Sequence, residues 1–297
     1  MILGIGNPVY DLIVTPHVRT DGRVLSGCST NACLALSRLG RRTTLVGNVG
    51  EDLHDQFVAD MERHEIGHRV GRCAETGGFG LIYDDRGDRT LDVLGVADPI
   101  GENLEIPEDC EAVIFGPILG ECGVPHMKAV QEASDALRVL DVQGLLRVVD
   151  SGRRVRHVHG PAVDEAISLS HIAKPNEHEA RIITGIDPRE NAERSVRELH
   201  ARGCEIAVVT LAEAGSVIFD GSSYLEIPPY PTLARDSTGA GDTYMAGFIH
   251  AYLNHRGGAL DRVGRTGSAV SSIMIEHTGP EFPMTVDEVE RRISTIL

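Results

Sequence analysis

Short apolar, β-branched runs alternate with segments of helical period along most of this chain, and that rhythm limits the fold more than any other feature. Met1–Ile5 reads as a first strand. In Thr30–Leu39 the residues Ala32, Leu36 and Leu39 share one helical face, and Gly40 follows as a C-cap. Thr43–Val49 is a short β-branched strand, and Leu53–Glu65 is an amphipathic helix that stops near Gly67. Ala112–Phe115 opens a second run, with a helix expected over His126–Leu137, while Leu145–Val149 is too short to assign. Ile172–Ala173 with Glu177–Ile183, then Ile206–Thr210, then a helix-rich third from Gly241 complete the pattern. Strands joined through helices fold as a mainly parallel central sheet flanked by helices on both faces, an α/β class.

Two stretches break the rhythm. Asp11–Leu25 and Cys73–Val96 are rich in β-branched residues, glycine and charge, without a helical period. Asp84-Asp85-Arg86-Gly87-Asp88 reads as a hairpin turn between Gly80–Tyr83 and Thr90–Leu94. These segments predict a small projecting sheet, a lid or a surface elaboration, with strands from about 11–26 and 73–97 in a single domain over 1–297.

Composition narrows the partners. In 297 residues, Lys plus Arg is 28 and Asp plus Glu is 44, a net charge of −16. That balance disfavours a broad nucleic-acid or anionic-membrane surface, but not one small anionic ligand held by local groups. Lys128 and Lys174 are the only lysines. No run of about 18 apolar residues suggests a membrane span, and Met1–Tyr10 lacks the pattern of a signal peptide. Cys28, Cys33, Cys73, Cys110, Cys122 and Cys204 form no CxxC pair, so reduced, mostly buried thiols and a cytoplasmic protein are expected.

Three tempting motifs are set aside. Gly4-Ile5-Gly6 lacks the third glycine of a dinucleotide fingerprint, and Pro8 breaks the turn-to-helix geometry. His64-Glu65-Ile66-Gly67-His68 matches HExxH, but Gly67 stands where a continuous helix would be needed. A zinc hydrolase built on it would carry stoichiometric metal. His157 and His159 alternate on one strand face with no carboxylate or cysteine partner evident nearby.

The strongest chemical signal is Asp236-Ser237-Thr238-Gly239-Ala240-Gly241-Asp242, a glycine-rich turn opening into the apolar segment Thr243–Phe248. First-turn N–H groups of a helix have no intrahelical partner, and the helix dipole favours an anion there. Gly239 and Gly241 remove the side chains that would block close approach. A carboxylate beside such an anion hole suits removal of a proton from a hydroxyl that attacks a phosphoryl group. An aspartate in a first helical turn is common in its own right, but that alone does not account for the preceding Gly-Ala-Gly.

With these residues the chain resembles the ribokinase/PfkB family of sugar and nucleoside kinases, whose signature has the form DTxGAGD. The resemblance implies a ribokinase-like fold, Asp242 as catalytic base, and Gly239, Ala240 and Gly241 as the anion hole. Gly6-Asn7-Pro8-Val9-Tyr10-Asp11 resembles the family's opening strand, which implies substrate contacts from Asn7 and Asp11. Gly27-Cys28-Ser29-Thr30-Asn31-Ala32 is similar to the glycine-rich first motif, with Cys28 in place of its second glycine; Gly27 and Asn31 would face the substrate. Lys174-Pro175-Asn176-Glu177-His178-Glu179 matches NxxE, which implies that Asn176 and Glu179 organise Mg²⁺, with Lys174 near the nucleotide. Thr210–Gly215 resembles TLGxxG, with Ala212 in place of a glycine; Thr210, Gly215 and Thr238 are therefore expected at ATP. A monovalent cation beside Ser271–Gly279 is implied by the resemblance alone.

Asp141-Val142-Gln143-Gly144-Leu145-Leu146-Arg147 and His277-Thr278-Gly279-Pro280 resemble the subgroup that includes myo-inositol kinases. Gln143 and Arg147 would then reach a polyhydroxylated ring, although Asp141 and Arg147 also suit a structural tie. A neutral sugar or cyclic polyol is one expected acceptor. A pentose derivative, such as ribose 1-phosphate or a nucleoside, is the other, and a phosphate there needs a guanidinium clamp from Arg23, Arg41, Arg42 or Arg147. A sensor that kept the fold and lost turnover is the non-enzymatic alternative. Exposed lid strands and the family resemblance imply a homodimer through the lid.

Overall fold

The computed structural model describes residues 1–83, 89–255 and 258–296. Its strands are β1 (Ile2–Ile5), β2 (Val9–Val14), β3 (Val24–Ser26), β4 (Thr43–Gly50), β5 (Gly67–Cys73), β6 (Gly78–Tyr83), β7 (Arg89–Gly95), β8 (Ala112–Phe115), β9 (Leu137–Asp141), β10 (Arg147–Val149), β11 (Val155–His157), β12 (Ile172–Lys174), β13 (Ile206–Thr210), β14 (Ser216–Phe219) and β15 (Tyr224–Ile227). The helices are α1 (Cys28–Arg38), α2 (His54–Arg63), α3 (Val124–Ala133), α4 (Gln143–Leu146), α5 (Pro161–Leu169), α6 (Glu177–Thr184), α7 (Ala192–His200), α8 (Ala240–Asn254), α9 (Leu260–Ile275) and α10 (Val286–Thr295).

Among the described residues, nine strands form the main sheet in the order β15-β14-β13-β12-β9-β8-β1-β4-β5. From β13 to β5 every pair is parallel, and β14 and β15 continue it antiparallel. The central strands are apolar on both faces, as a sheet covered twice requires. Alternation sorts the faces. In β8, Ala112 and Ile114 join one core with α1, α8 and α9. Val113 and Phe115 join the other, with α3, α5, α6 and α7. Two glycines let α8 and α9 approach closely. A Cβ on Gly247 would lie 2.8 Å from the Thr266 carbonyl oxygen, and one on Gly267 would lie 3.0 Å from Tyr244.

The second sheet runs β3-β2-β6-β7. It is mixed: β2 pairs with β6 in parallel and with β3 antiparallel, and β6 pairs antiparallel with β7. Strand β2 begins four residues beyond the carboxyl end of β1, so this sheet rises beside the end of the main sheet where open α/β folds bind ligands. The expected turn at Asp84–Asp88 lies outside the described residues.

Several boundaries differ from the sequence reading. The helix expected over His126–Leu137 ends at Ala133, because Leu137 begins β9 between β8 and β12. Cys73 closes β5 at the edge of the main sheet rather than opening the small one. The unassigned Leu145–Val149 divides between α4 and β10. His64 caps α2, Glu65 turns the chain with φ 56°, and His68 lies in β5, so HExxH has no continuous helix. His159 does have a carboxylate partner, Asp164, at 2.9 Å. All six cysteines are free and five are buried. Among the described residues no helix is long and apolar enough to cross a membrane.

Candidate active site

A cleft opens at the carboxyl ends of β9 and β12, between the start of α8 and the small sheet. Asp11, Gly27, Asn31, Gln143, Arg147, Lys174, Glu179, Thr238, Gly239, Ala240, Gly241 and Asp242, all named from sequence, line it together. The turn before α8 explains its floor. Gly239 caps the helix at φ 79°, a left-handed conformation that favours glycine. The first bond closing the helix runs from the Thr243 N–H to the Gly239 carbonyl, so the Gly241 and Asp242 amides precede it. The turn is held from behind. Ser271 Oγ donates to the Ala240 carbonyl at 3.0 Å, and the Arg235 and Asp236 amides donate to the Ile275 carbonyl. From the small sheet, Tyr83 Oη lies 2.8 Å from Thr238 Oγ1.

Adjacent strands supply the charges. Asp141 ends β9, Lys174 ends β12, and the two are in register, so their side chains share a face. Lys174 Nζ lies 2.8 Å from Asp141 Oδ2, with both groups buried. Asp141 Oδ1 accepts the Gln143 amide at 3.0 Å. A Cβ on Gly241 would sit 3.1 Å from Lys174 Nζ, so the ammonium lies against the amide cradle. Burial opposes the charge on Lys174, but Asp141 and Glu179 outweigh it and hold the ammonium firmly protonated.

Asp242 is half-buried, and its Oδ2 accepts a hydrogen bond from Asn31 Nδ2 at 2.9 Å. Burial raises its pKa, and Asp141 adds to that; the Asn31 bond and Lys174 act in the opposite sense. A carboxylate of raised basicity at an anion hole is equipped to take a hydroxyl proton. Asp11 is buried, with Oδ1 accepting the Phe79 amide at 2.8 Å. Gln143 Oε1 accepts from Arg147 at 2.7 Å, a bond between the first residue of α4 and the first of β10.

Other expected residues take different positions. Asn7 does not line the cleft: its Nδ2 donates to the Asp98 carbonyl and its Oδ1 accepts the Asn48 amide, tying β1 to neighbouring segments. Asn176 and Glu179 form a reciprocal capping box on α6, in which Asn176 Oδ1 accepts the Glu179 amide and Glu179 Oε2 accepts the Asn176 amide. Of the two, Glu179 lines the cleft. Burial, then Asp141, raises its pKa to about 6. Thr210 closes β13 beside Asn176, and Gly215 turns the chain at φ 88° before β14; neither lines the cleft.

The four arginines proposed for a phosphate clamp do not converge. Arg23 donates to the carbonyls of Tyr10, Thr76 and Gly77. Arg41 reaches the His250 carbonyl and Asn254, and Arg42 pairs with Asp109. Only Arg147 of these four lines the cleft. The sequence reading did not anticipate the apolar wall of Val9, Phe79, Leu81, Leu91 and Ile118. Alternation in β6 marks Phe79 and Leu81 as partners on one face, but not what that face covers.

Comparison with known proteins gives this geometry a family. Residues 122–287 match the pfkB family carbohydrate kinase model. The ribokinase of Haemophilus influenzae is 32% identical, with 91% of this chain and 90% of its own length covered. A cytidine kinase of Thermococcus kodakarensis is 27% identical, covering 89% and 91%. Among solved structures, a pyrophosphate-dependent kinase in the ribokinase family, complexed with a pyrophosphate analog and myo-inositol, superposes with a TM-score of 0.82 at 21% identity, covering 98% of this chain and 100% of its own. Arabidopsis thaliana ribokinase complexed with ribose and ATP superposes at 0.76, with 22% identity and 98% of each chain covered. The Gly-Ala-Gly-Asp helix start, the cleft it floors and a match over more than half the chain lead to one conclusion: this protein belongs to the pfkB family of carbohydrate kinases.

Proposed function

We propose that this protein transfers the γ-phosphoryl group of ATP to a hydroxyl of a small neutral polyol or sugar, of the size and polarity of myo-inositol. Asp242 takes the proton of the attacking hydroxyl. The acceptor oxygen forms the new bond to phosphorus as the bond to the leaving phosphate oxygen breaks. The amides of Gly239 and Gly241 and the Lys174 ammonium stabilise the charge on the transferring group, while the Ala240 amide, expected there too, donates to the Ser237 carbonyl. Mg²⁺, when bound, supplies charge neutralisation at the phosphates. The free side of the Glu179 carboxylate suits it, and Asn176 supports Glu179 through the capping box rather than through its own committed oxygen. Thr210, Gly215 and Thr238 are assigned to the nucleotide side.

The observation that carries the acceptor class is the charge of the cleft. Asp11, Asp141, Glu179 and Asp242 line it against Arg147 and Lys174, and Lys174 is already paired. Carboxylates accept hydroxyl hydrogen bonds well and repel an anionic acceptor. A sugar phosphate therefore fits poorly, and Asp11, Asn31, Gln143 and Arg147 are assigned to the ring of a neutral one. We also assign the small sheet as a lid and as the face of a homodimer, from its exposed Leu12, Ile82, Leu94 and Val96.

Asp242→Asn tests the chemistry. It should lower kcat by orders of magnitude while acceptor binding, followed calorimetrically, stays within a few-fold. Near-wild-type turnover would end the assignment of the base.

A further inference from the structure

Cys28 is the first residue of α1, and Asn31, three positions later, shares its helical face. Both residues line the cleft, and both are buried. Cys28 Sγ, one carboxylate oxygen of Asp242 and one of Asp141 all lie within 4.8 Å of one another. From behind, the sulfur is backed by Gly116, where an added Cβ would lie 2.8 Å from it. The side chain is therefore pressed toward the carboxylates.

A thiol offers one weak donor. Asp141 already accepts from the Lys174 ammonium and the Gln143 amide. Asp242 accepts from Asn31, and the Cys28 sulfur lies within 4.8 Å of one of its carboxylate oxygens, on the side from which a thiol proton can reach it. Burial, reinforced by Asp141 and Asp242, pushes the Cys28 thiol well above its usual range, so the proton stays on sulfur and remains available to donate.

We propose that the Cys28 thiol is a positioning residue: together with Asn31 it clamps the Asp242 carboxylate in the orientation that meets the acceptor hydroxyl. The proposal rests on Asp242 being the base. Two donors on one turn of α1 restrain a carboxylate on the first turn of α8, so the packing of two helices sets the direction of proton transfer. The charged groups that share the cleft with Asp242 are Asp141 from β9, Lys174 from β12, Glu179 from α6, Arg147 from β10 and Asp11 from β2, of which Asp141 and Lys174 act on it most directly. None of them shares a helix with Cys28, although Asp141 lies as close to its sulfur as Asp242 does, which is why the serine variant, keeping a donor at the same place, is part of the test.

The test compares kcat and KM across pH for wild type, Cys28→Ala and Cys28→Ser, beside Asp242→Asn. Loss of one weak donor to a charged acceptor predicts a fall in kcat of about threefold to tenfold for Cys28→Ala, with KM for ATP unchanged. Removing a donor disfavours the ionised base, so the acidic limb of the kcat profile should move to higher pH. Cys28→Ser, which keeps a donor, should restore both. If Asp242→Asn is inactive but Cys28→Ala keeps wild-type kcat and an unmoved acidic limb, the positioning role is overturned and the base stands. If Asp242→Asn turns over normally, both fall. A Cys28→Ala protein that loses turnover with an unmoved limb, and is not rescued by serine, also overturns the proposal, since that is the mark of packing alone.

Discussion

Glu179 caps α6, and in the proposed function it would also hold Mg²⁺, two duties that pull its protonation in opposite directions. One carboxylate oxygen caps α6, while the group as a whole is buried in the cleft beside Asp141. Its pKa of about 6 lies above the ordinary carboxylate value. The folded protein thus holds this proton more tightly than the unfolded chain does. Its ionisation above pH about 6 opposes folding, and that cost shrinks as pH falls from about 6 toward the ordinary value of 4.5, below which it is gone. For the Mg²⁺ role proposed above the dependence runs the other way, because Mg²⁺ needs the ionised form. The apparent Mg²⁺ affinity in a steady-state assay should therefore weaken as pH drops below about 6. Glu179→Gln should raise the Mg²⁺ requirement and remove that pH dependence, whereas an unchanged titration would take the metal away from this residue. At this scale the site was legible only where the chemistry is local. The Gly-Ala-Gly-Asp turn can be read because the groups of a helix start belong to consecutive residues. The Lys174–Asp141 pair could not be read, because it depends on the register of two strands joined by more than 30 residues of chain. Asn7 sits in a matching motif, yet its amide is spent on Asp98 and Asn48, partners that only the fold brings near.

Elements place the site more than they decorate it. Helix α8 carries Asp242 at its start and leans on α9 through Gly247 and Gly267. A side chain at 267 meets the Tyr244 ring and carbonyl at 3.0 Å, so Gly267→Val should destabilise the protein by about 1–3 kcal/mol through overpacking. Thermal unfolding reads this directly, and an unchanged midpoint would show that the two helices have slack. Most elements were legible because the strand faces and helix stripes are written in apolar spacing. The end of α3 was not, because the residues that resume at Leu137 suit a helix locally and become a strand only between β8 and β12. The small sheet was visible as a loss of helical period. Its parallel β2–β6 pairing was not, since it joins segments more than 60 residues apart.

The whole molecule resolves an apparent conflict between its charge and its ligand. In the function proposed above, a chain with a net charge of −16 would take a phosphoryl donor through helix-end amides, one buried lysine and a metal ion rather than through a basic surface. The small sheet has a wet face with Ile82 half exposed and Leu12 and Leu94 each more than a third exposed, and Val96 just beyond β7 is exposed to the same degree. If that face joins two copies, light scattering at micromolar concentration gives a dimer and Ile82→Lys gives a monomer; a wild-type monomer would remove the interface. The acceptor pocket makes the sharper demand, because its carboxylates outnumber its cations. The most direct measurement is phosphoryl transfer from ATP with Mg²⁺, or from pyrophosphate, to a panel of cyclic polyols, free sugars, nucleosides and sugar phosphates, with products identified by mass spectrometry. Efficient transfer from ATP to a neutral cyclic polyol or sugar, with little to any sugar phosphate, is expected. Transfer confined to a phosphorylated acceptor, or no transfer to any neutral hydroxyl compound, would rule out the proposed acceptor class.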